Sequence, residues 1–224
     1  MKLMIKYLFI SLLISSVQAV DFNVHEIPVP KFFKVQVVAD HMNMNGIDMG
    51  VLQFQTKESF SAIESFYKSE VGEIKVSALD TMRVVSWLDD DKLFSVQVNY
   101  DDFNRVNHGF ITVSNMPQFM NKQVELGKDF PLPSRSTVIN DIKAQDLNKN
   151  SRTLWINNNS TVKNNIAFYK SHYQREGWRL DHEMIKPDGN SGVLMMSLGA
   201  NELNLVANIN EAMTTDINIV IVEK

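Results

Sequence analysis

Apolar residues recur every three or four positions in two separate segments of this chain. That spacing places them on one face of a helix, so each segment is predicted to be helical. The residues of these faces are Phe60, Ile63, Phe66 and Tyr67 in the first segment, and Val162, Ile166, Tyr169 and Tyr173 in the second. The predicted N-caps are Thr56 for the first helix and Ser160 or Thr161 for the second. Because such a face usually packs against a sheet, we interpret the aromatic pairs Phe66-Tyr67 and Phe168-Tyr169 as core.

In the segments around each helix, apolar residues occur at every second position, which is typical of half-buried antiparallel strands. The clearest alternating residues are Phe94, Val96, Val98 and Tyr100, and later Leu203, Leu205, Ala207 and Ile209. Further strands are predicted at 83–88, 109–114, 193–198 and 217–222. Before the helices, extended segments at 33–39 with 49–55, and at 138–144 with 152–156, predict two hairpins. Each helix is therefore expected to follow two strands and to precede three.

Short landmarks of the sequence occur twice, at nearly constant distance. Ile27-Pro28-Val29-Pro30 recurs as Phe130-Pro131-Leu132-Pro133, and Phe66-Tyr67-Lys68-Ser69 recurs as Phe168-Tyr169-Lys170-Ser171. The predicted fold class is therefore α+β, with two tandem ββαβββ modules at 20–115 and 130–224, each an antiparallel sheet packed by one helix. The segment 116–129 lacks a period and is the predicted linker. The pattern leaves open whether the modules are separate domains or one pseudo-symmetric body.

The second copy resembles a module found in bacterial exported proteins and lipoproteins. In that module a proline-marked start precedes a hairpin, a helix that carries Phe-Tyr, and a Gly-Trp pair that opens the next strand. The corresponding residues here are Pro131, Pro133, Phe168, Tyr169, Gly177 and Trp178. The first copy departs from the pattern, because Gly72-Glu73-Ile74 occupies the place of Gly-Trp. The resemblance implies the ββαβββ architecture but no particular activity, since the group is mostly of unassigned function.

The first 19 residues have the three parts of a secretory signal peptide. Lys2 and Lys6 precede an apolar run at 7–14, and a stretch of small residues ends at Ala19. The run is shorter than the roughly 20 residues that span a bilayer, so we expect cleavage after Ala19 rather than an uncleaved anchor. The mature chain is expected to be periplasmic or secreted, without a membrane span.

The lack of cysteine and the acidic net charge exclude several kinds of chemical site and argue against nucleic acid as a partner. The absence of cysteine excludes disulfides, thiolate catalysis, cysteine-based zinc sites and the lipid anchor of a lipoprotein. Removal of residues 1–19 takes away two lysines and no acid, so the net charge changes from −4 to −6. An acidic chain gives no electrostatic reason to bind nucleic acid, and no such partner is predicted.

The search for reactive constellations yields no assignment of a catalytic residue, cofactor or metal. The five histidines have no recognisable ligand spacing. In Asp181-His182-Glu183 the imidazole would point away from both carboxylates on a strand. The segment 41–46 resembles the start of a calcium loop but has His41 where the first acid belongs. Acidic clusters at 89–91 and 188–190 are typical of turns.

Two methionines stand out among the 12 in the chain. Met42 and Met44 lie in the polar stretch of the first predicted hairpin, where a turn should expose them. Because methionine is flexible and polarizable, it suits adaptable binding surfaces. We predict a contact with a partner at Met42 and Met44.

Two function classes follow from these observations. The first is a non-catalytic periplasmic or secreted protein that binds another envelope component, as an accessory of a secretion, pilus or surface assembly. The second is an exported glycan or peptide hydrolase that uses carboxylates brought together between the modules. A third, weaker hypothesis is a small-ligand binder in the groove between helix and sheet. The first is favoured because the sequence lacks a catalytic motif, and the oligomeric state is left open.

Overall fold

A computed structural model describes residues 24, 27–79, 81–101, 106–119, 124–146 and 149–224. The predicted signal peptide lies outside these residues. The first half contains β1 (Lys34–Met44), β2 (Ile47–Thr56), α1 (Phe60–Val71), β3 (Lys75–Leu79), β4 (Met82–Asp89), β5 (Lys92–Asp101), β6 (Val106–Ser114) and the short α2 (Met116–Phe119). The second half contains β7 (Thr137–Asp146), β8 (Lys149–Asn158), α3 (Val162–Arg175), β9 (Arg179–Ile185), β10 (Ser191–Leu198), β11 (Asn201–Ile209) and β12 (Thr215–Glu223).

Within these described ranges, the strands form one antiparallel sheet of 12 strands in the order β3-β4-β5-β6-β2-β1-β7-β8-β12-β11-β10-β9. Two full-length helices and this sheet agree with the α+β class. The prediction of a separate sheet for each module is corrected, because β1 pairs with β7 and joins the halves. The prediction of three strands after each helix is also wrong, since β3 and β9 add a fourth. Both are edge strands with few buried residues, so they lack the alternation that marks a strand in sequence.

The two helices begin and end for local reasons that the sequence shows in part. The Ser59 side chain, not Thr56, accepts a hydrogen bond from the Ala62 N–H at the start of α1. Thr161 caps α3 by accepting from the Asn164 N–H. Gly177 follows α3 with a φ of +88°, and the Trp178 N–H donates to the Tyr173 carbonyl at 2.9 Å. This left-handed glycine stop confirms the predicted place of Gly177 at the helix end.

Each helix covers one face of its half of the sheet and closes a separate hydrophobic core. In the first core, the Tyr67 ring stacks on Trp87, which stacks on Phe94 at a centroid distance of 5.0 Å. The second core is mainly aliphatic, with Leu, Ile and Met side chains around Tyr169. The core prediction is confirmed, since Tyr67 and Tyr169 are fully buried, while Phe66 and Phe168 pack partly buried against the same clusters.

The halves meet along a short ladder between β1 and β7. His41–Met44 pairs with Ile142–Gln145. Two further bonds continue this contact: the Asn45 N–H donates to the Asp141 carbonyl at 2.9 Å, and the Asp141 N–H donates to Asn45 Oδ1 at 2.8 Å. Within the predicted linker, the Gly127 N–H donates to Asp141 Oδ2 at 2.9 Å. Asp141 therefore connects both halves and the segment between them.

Candidate functional site

The face of β8–β12 opposite α3 carries exposed apolar side chains. Residues paired across antiparallel strands point to the same face, so the register defines rows across the sheet. One row contains Trp155, Asn218, Val206, Val193 and Met184, and the next contains Thr153, Val220, Asn204 and Met195. Trp155, Val206, Met195 and Met184 are 40% to 50% exposed. We call Trp155, Val206, Val193, Met184, Val220 and Met195 the apolar band.

The first half carries mostly polar residues at the corresponding places of its own strands. Two positions correspond when each lies next to the equivalent buried residue of its own half. Gln53 corresponds to Trp155, because Gln53 precedes buried Phe54 and Trp155 precedes buried Ile156. By the same criterion, the counterparts of Val206, Met195 and Val220 are Gln97, Ser86 and Thr112. Phe110, the counterpart of Asn218, reverses the pattern. The fold therefore tolerates polar side chains where the band is apolar.

Met42 and Met44 lie on β1 and not in a turn, which corrects the premise of their predicted exposure. The turn is Asn45-Gly46, whose positive φ angles of 54° and 86° suit a tight hairpin. Both methionines are half-buried. Met44 pairs with Ile142, which pairs with Thr153 in a row of the apolar band's face. A partner contact at Met42 and Met44 stays a prediction, now placed beside the band.

The two edges of the sheet are poor sites for strand addition. β9 carries charged side chains, which oppose pairing with another strand. Lys170 Nζ lies 2.6 Å from Glu183 Oε2, and Arg179 Nη2 lies 2.8 Å from Asp181 Oδ1. The other edge, β3, is only five residues long and begins with Lys75. Neither edge therefore favours pairing with a further strand.

A groove of about 1050 Å³ lies on the helix side, where the halves meet. Two rows of paired residues cross β1, β7, β8 and β12 and form its floor: His41, Gln145, Asn150 and Glu223 in one, and Asn43, Lys143, Arg152 and Ile221 in the other. The last turn of α3 and the segment 129–131 form its walls. Trp178, Leu198 and Asn201 contribute to its lining at the other end of the rows.

An ion pair holds the floor of this groove in place. Arg152 donates from Nε to Asp141 Oδ1 at 2.9 Å and from Nη2 to Asp141 Oδ2 at 2.8 Å. The same Nη2 donates to the Lys128 carbonyl, and the guanidinium lies 5.3 Å from the centre of the Phe130 ring. Burial alone would raise the pKa of Asp141, but the hydrogen bonds from Arg152 and Gly127 and the charges of Arg152 and Lys143 hold it below its ordinary value. Asp141 is therefore ionised at neutral pH and neutralises Arg152.

The tyrosines at the centres of the two cores differ in their hydroxyl groups. The Tyr67 hydroxyl donates to the Pro28 carbonyl at 3.0 Å, which fixes the segment before β1 to α1. The Tyr169 hydroxyl is buried and has no hydrogen-bond partner among the residues that the structure describes. Pro131, the counterpart of Pro28, lines the groove instead. The groove thus lies at the place that corresponds, in the first half, to the hydrogen bond between Tyr67 and Pro28.

Removing these two hydroxyl groups should have different effects. We expect Tyr67→Phe to lower the free energy of unfolding by about 1 kcal/mol, because a buried hydrogen bond is lost. Tyr169→Phe should cause no loss or a small gain, because its buried hydroxyl has no partner in the described part of the chain. Urea unfolding of both variants measures the difference, and each variant is the control for the other. Equal losses would contradict the described asymmetry.

The acids of the structure give the hydrolase hypothesis no positive support. The groove contains Asp129, Glu176 and Glu223. The pKa values of Asp141, Asp181 and Glu202 are all lowered, the last two chiefly by hydrogen bonds from Ser197 and Lys224 respectively. A general acid needs the opposite shift. In the described ranges, no group of three or more His, Asp or Glu residues could hold a metal ion.

Comparison with known proteins gives no relative. No family model, curated protein or solved structure matches the chain. Among the residues that the structure describes, no helix is both long and apolar enough to cross a membrane.

Proposed function

We propose that this chain is an exported, non-catalytic protein of the bacterial envelope that binds another envelope or secreted protein. Its role would be that of an accessory in a secretion, pilus or surface assembly, acting in the periplasm or outside the cell. The observation that carries the proposal is the apolar band, whose corresponding residues in the first half are mostly polar. The sequence signature of a signal peptide supports export.

The composition of the band supports protein binding. Tryptophan and methionine are enriched at interfaces, where a large apolar side chain is buried against the partner. Trp155 is 41% exposed, so a partner could remove a substantial apolar area from water. Exposed apolar patches on soluble proteins commonly mark such contacts. Met44 would extend the contact onto β1.

We also propose that the two halves arose by duplication of one module, as the resemblance to bacterial exported modules suggests. The succession ββα followed by four strands occurs in both halves, and the sheet order of one half mirrors that of the other. Equivalent contacts support this origin. Asn107 donates to the Glu58 carbonyl before α1, and Thr215 donates to the Ser160 carbonyl before α3. A duplicated frame would let one copy acquire a binding face while the other keeps a polar one.

Replacing the band with the residues of the first half should remove binding and leave folding intact. The variant Trp155→Gln, Met195→Ser, Val206→Gln should lower the free energy of unfolding by about 1 kcal/mol per site without unfolding the protein, because these side chains are 40% to 41% exposed and their counterparts in the first half are polar. Loss of a central tryptophan contact should reduce crosslinked partner in the periplasmic fraction by about tenfold or more.

The matched control is Gln53→Ser, Ser86→Ala, Gln97→Ser on the first half, which should leave crosslinking unchanged. Undiminished crosslinking by the band variant would contradict the docking surface. Absence of the protein from both the periplasm and the medium would contradict export.

A further inference from the structure

The groove between the halves carries an excess of negative charge. Its lining includes three carboxylates, Asp129, Glu176 and Glu223, and two basic side chains, Lys143 and Arg152. The charge of Arg152 is already balanced by Asp141. Apart from the histidines, Lys143 is therefore the one basic side chain in this lining whose charge can offset the three carboxylates. A groove with this balance attracts a cation.

The Tyr173 hydroxyl is a second and independent feature of the groove. Tyr173 is only 5% exposed, yet it lines the cavity. No hydrogen bond joins its hydroxyl to any residue in the described part of the chain. A buried aromatic ring whose polar end reaches a groove without a partner is a group for a ligand to bind.

The surroundings of Tyr173 indicate the charge of that ligand. Burial raises the pKa of the phenol, and the charges of Glu176 and Glu223 raise it further against the opposing effect of Arg152. Tyr173 is thus uncharged at neutral pH and lies in the field of two carboxylates. Its oxygen can accept a hydrogen bond from a cationic donor. The Trp178 ring, 5.2 Å from the Tyr173 ring, adds an aromatic surface that favours cations.

We propose that this groove binds an organic cation, an ammonium or guanidinium group, at the Tyr173 hydroxyl between the acids Glu176 and Glu223. This site is separate from the apolar band, which lies on the other face of the sheet. Glu176 also interacts with His172, because its Oε1 lies 3.0 Å from His172 Nε2, so its charge is shared between the ligand and this histidine. Glu223 is therefore the main counter-charge.

The size of the groove favours a peptide as the carrier of the cation. The floor crosses four strands from β1 to β12, and neighbouring strands lie about 4.8 Å apart, so its length is about 15 Å. That length accommodates about four residues of extended peptide. Amide side chains on the floor, Asn43, Gln145 and Asn150, can bond to a peptide backbone. A small amine would occupy only a fraction of the cavity.

Titration calorimetry of the purified mature chain tests this inference with three probes. The first is the blocked peptide Gly-Gly-Lys-Gly-Gly, the second has norleucine for lysine, and the third is butylammonium. We expect the lysine peptide to bind about tenfold or more tightly than the norleucine peptide, because one charge-assisted contact is lost. Binding of butylammonium as tight as that of the lysine peptide would identify a free amine as the ligand. Weaker binding of butylammonium would identify a peptide.

Two variants separate a binding role from a structural one. Glu223→Gln and Tyr173→Phe should each weaken the lysine peptide about fivefold to tenfold without changing the unfolding midpoint, since the described structure shows no internal hydrogen bond for the Tyr173 hydroxyl. The matched control is Glu202→Gln, an acid paired with Lys224 outside the groove. Equal binding of both peptides, no binding up to about 10 mM, or unchanged binding by both variants would overturn the proposal.

Discussion

Gly109→Ala should strongly destabilise the first half. Gly109 lies on β6 between Phe54 of β2 and Val98 of β5, in the interior of the sheet. A Cβ atom at this position would lie 1.7 Å from the Gln97 carbonyl oxygen and 3.2 Å from the Phe54 ring. The oxygen belongs to backbone that is paired on both sides, so it cannot move aside. We expect a loss of about 3 kcal/mol or more in the free energy of unfolding.

Urea unfolding followed by tryptophan fluorescence measures this effect, since Trp87 is in the affected core. Thr112→Ala, on the other face of the same strand, should change the stability by less than about 0.5 kcal/mol. Gly192→Ala is a graded control, because the nearest atom to its added Cβ is the movable Ile166 Cδ1. A Gly109→Ala protein as stable as the Thr112→Ala protein would contradict the described register of β5 and β6.

Asp141→Asn should cost about 3 kcal/mol at neutral pH, because it leaves Arg152 without its counter-charge in a site that is largely buried. The backbone bonds between Asp141 and Asn45 do not depend on the carboxylate. The variant therefore tests the ion pair separately from the β1–β7 contact. The double variant Asp141→Asn, Arg152→Met should recover part of the loss, because no uncompensated charge remains.

The lowered pKa of Asp141 gives this prediction a pH dependence. A carboxyl group whose pKa is lower in the folded protein contributes stability above its unfolded pKa of about 3.9, and that stability is lost as the pH falls through the folded value. Wild type and Asp141→Asn should therefore differ most at neutral pH and converge below about pH 4. A difference that stays constant from pH 7 to pH 3 would show that the carboxylate does not act as an ion.

Local structure could largely be predicted from residue spacing. The stripe from Val162 to Tyr173 predicts α3, and Gly177 predicts its end, because helix faces and glycine stops depend on neighbours in sequence. The alternation of His41, Met42, Asn43 and Met44 is also a strand signal, but the polar residues His41 and Asn43 are equally typical of a turn. In the structure His41 and Asn43 line the groove, which explains why a strand tolerates them.

The floor of the groove, where the halves meet, could not be predicted, because it depends on long-range register. Asn43, Lys143, Arg152 and Ile221 become neighbours only when β1, β7, β8 and β12 pair in this order. Nothing in their sequence spacing indicates a common floor. The same holds for the apolar band, since Trp155, Val206 and Met184 come from strands that are distant in the chain. Sequence comparison of the halves would nevertheless reveal the contrast between Gln53 and Trp155 once the repeat is aligned.

The asymmetry between the halves is the basis of the functional account. In the first half, Val24 packs where a side chain at Gly50 would otherwise lie, and the Tyr67–Pro28 bond closes the adjoining segment. In the second half, Arg152 occupies the place of Gly50, and the groove lies open beside it. The second half also carries the apolar band. Both candidate surfaces therefore draw mainly on the second half.

Photocrosslinking in the living cell tests the proposed docking surface most directly. A photoreactive amino acid is placed at position 155 in one variant and at position 53 in another. These two positions correspond to each other and lie on the same face of the sheet. We expect a discrete crosslinked partner from position 155 in the exported fraction, and little or none from position 53. Crosslinks of equal yield from both positions, or uncrosslinked monomer alone from position 155, would contradict it.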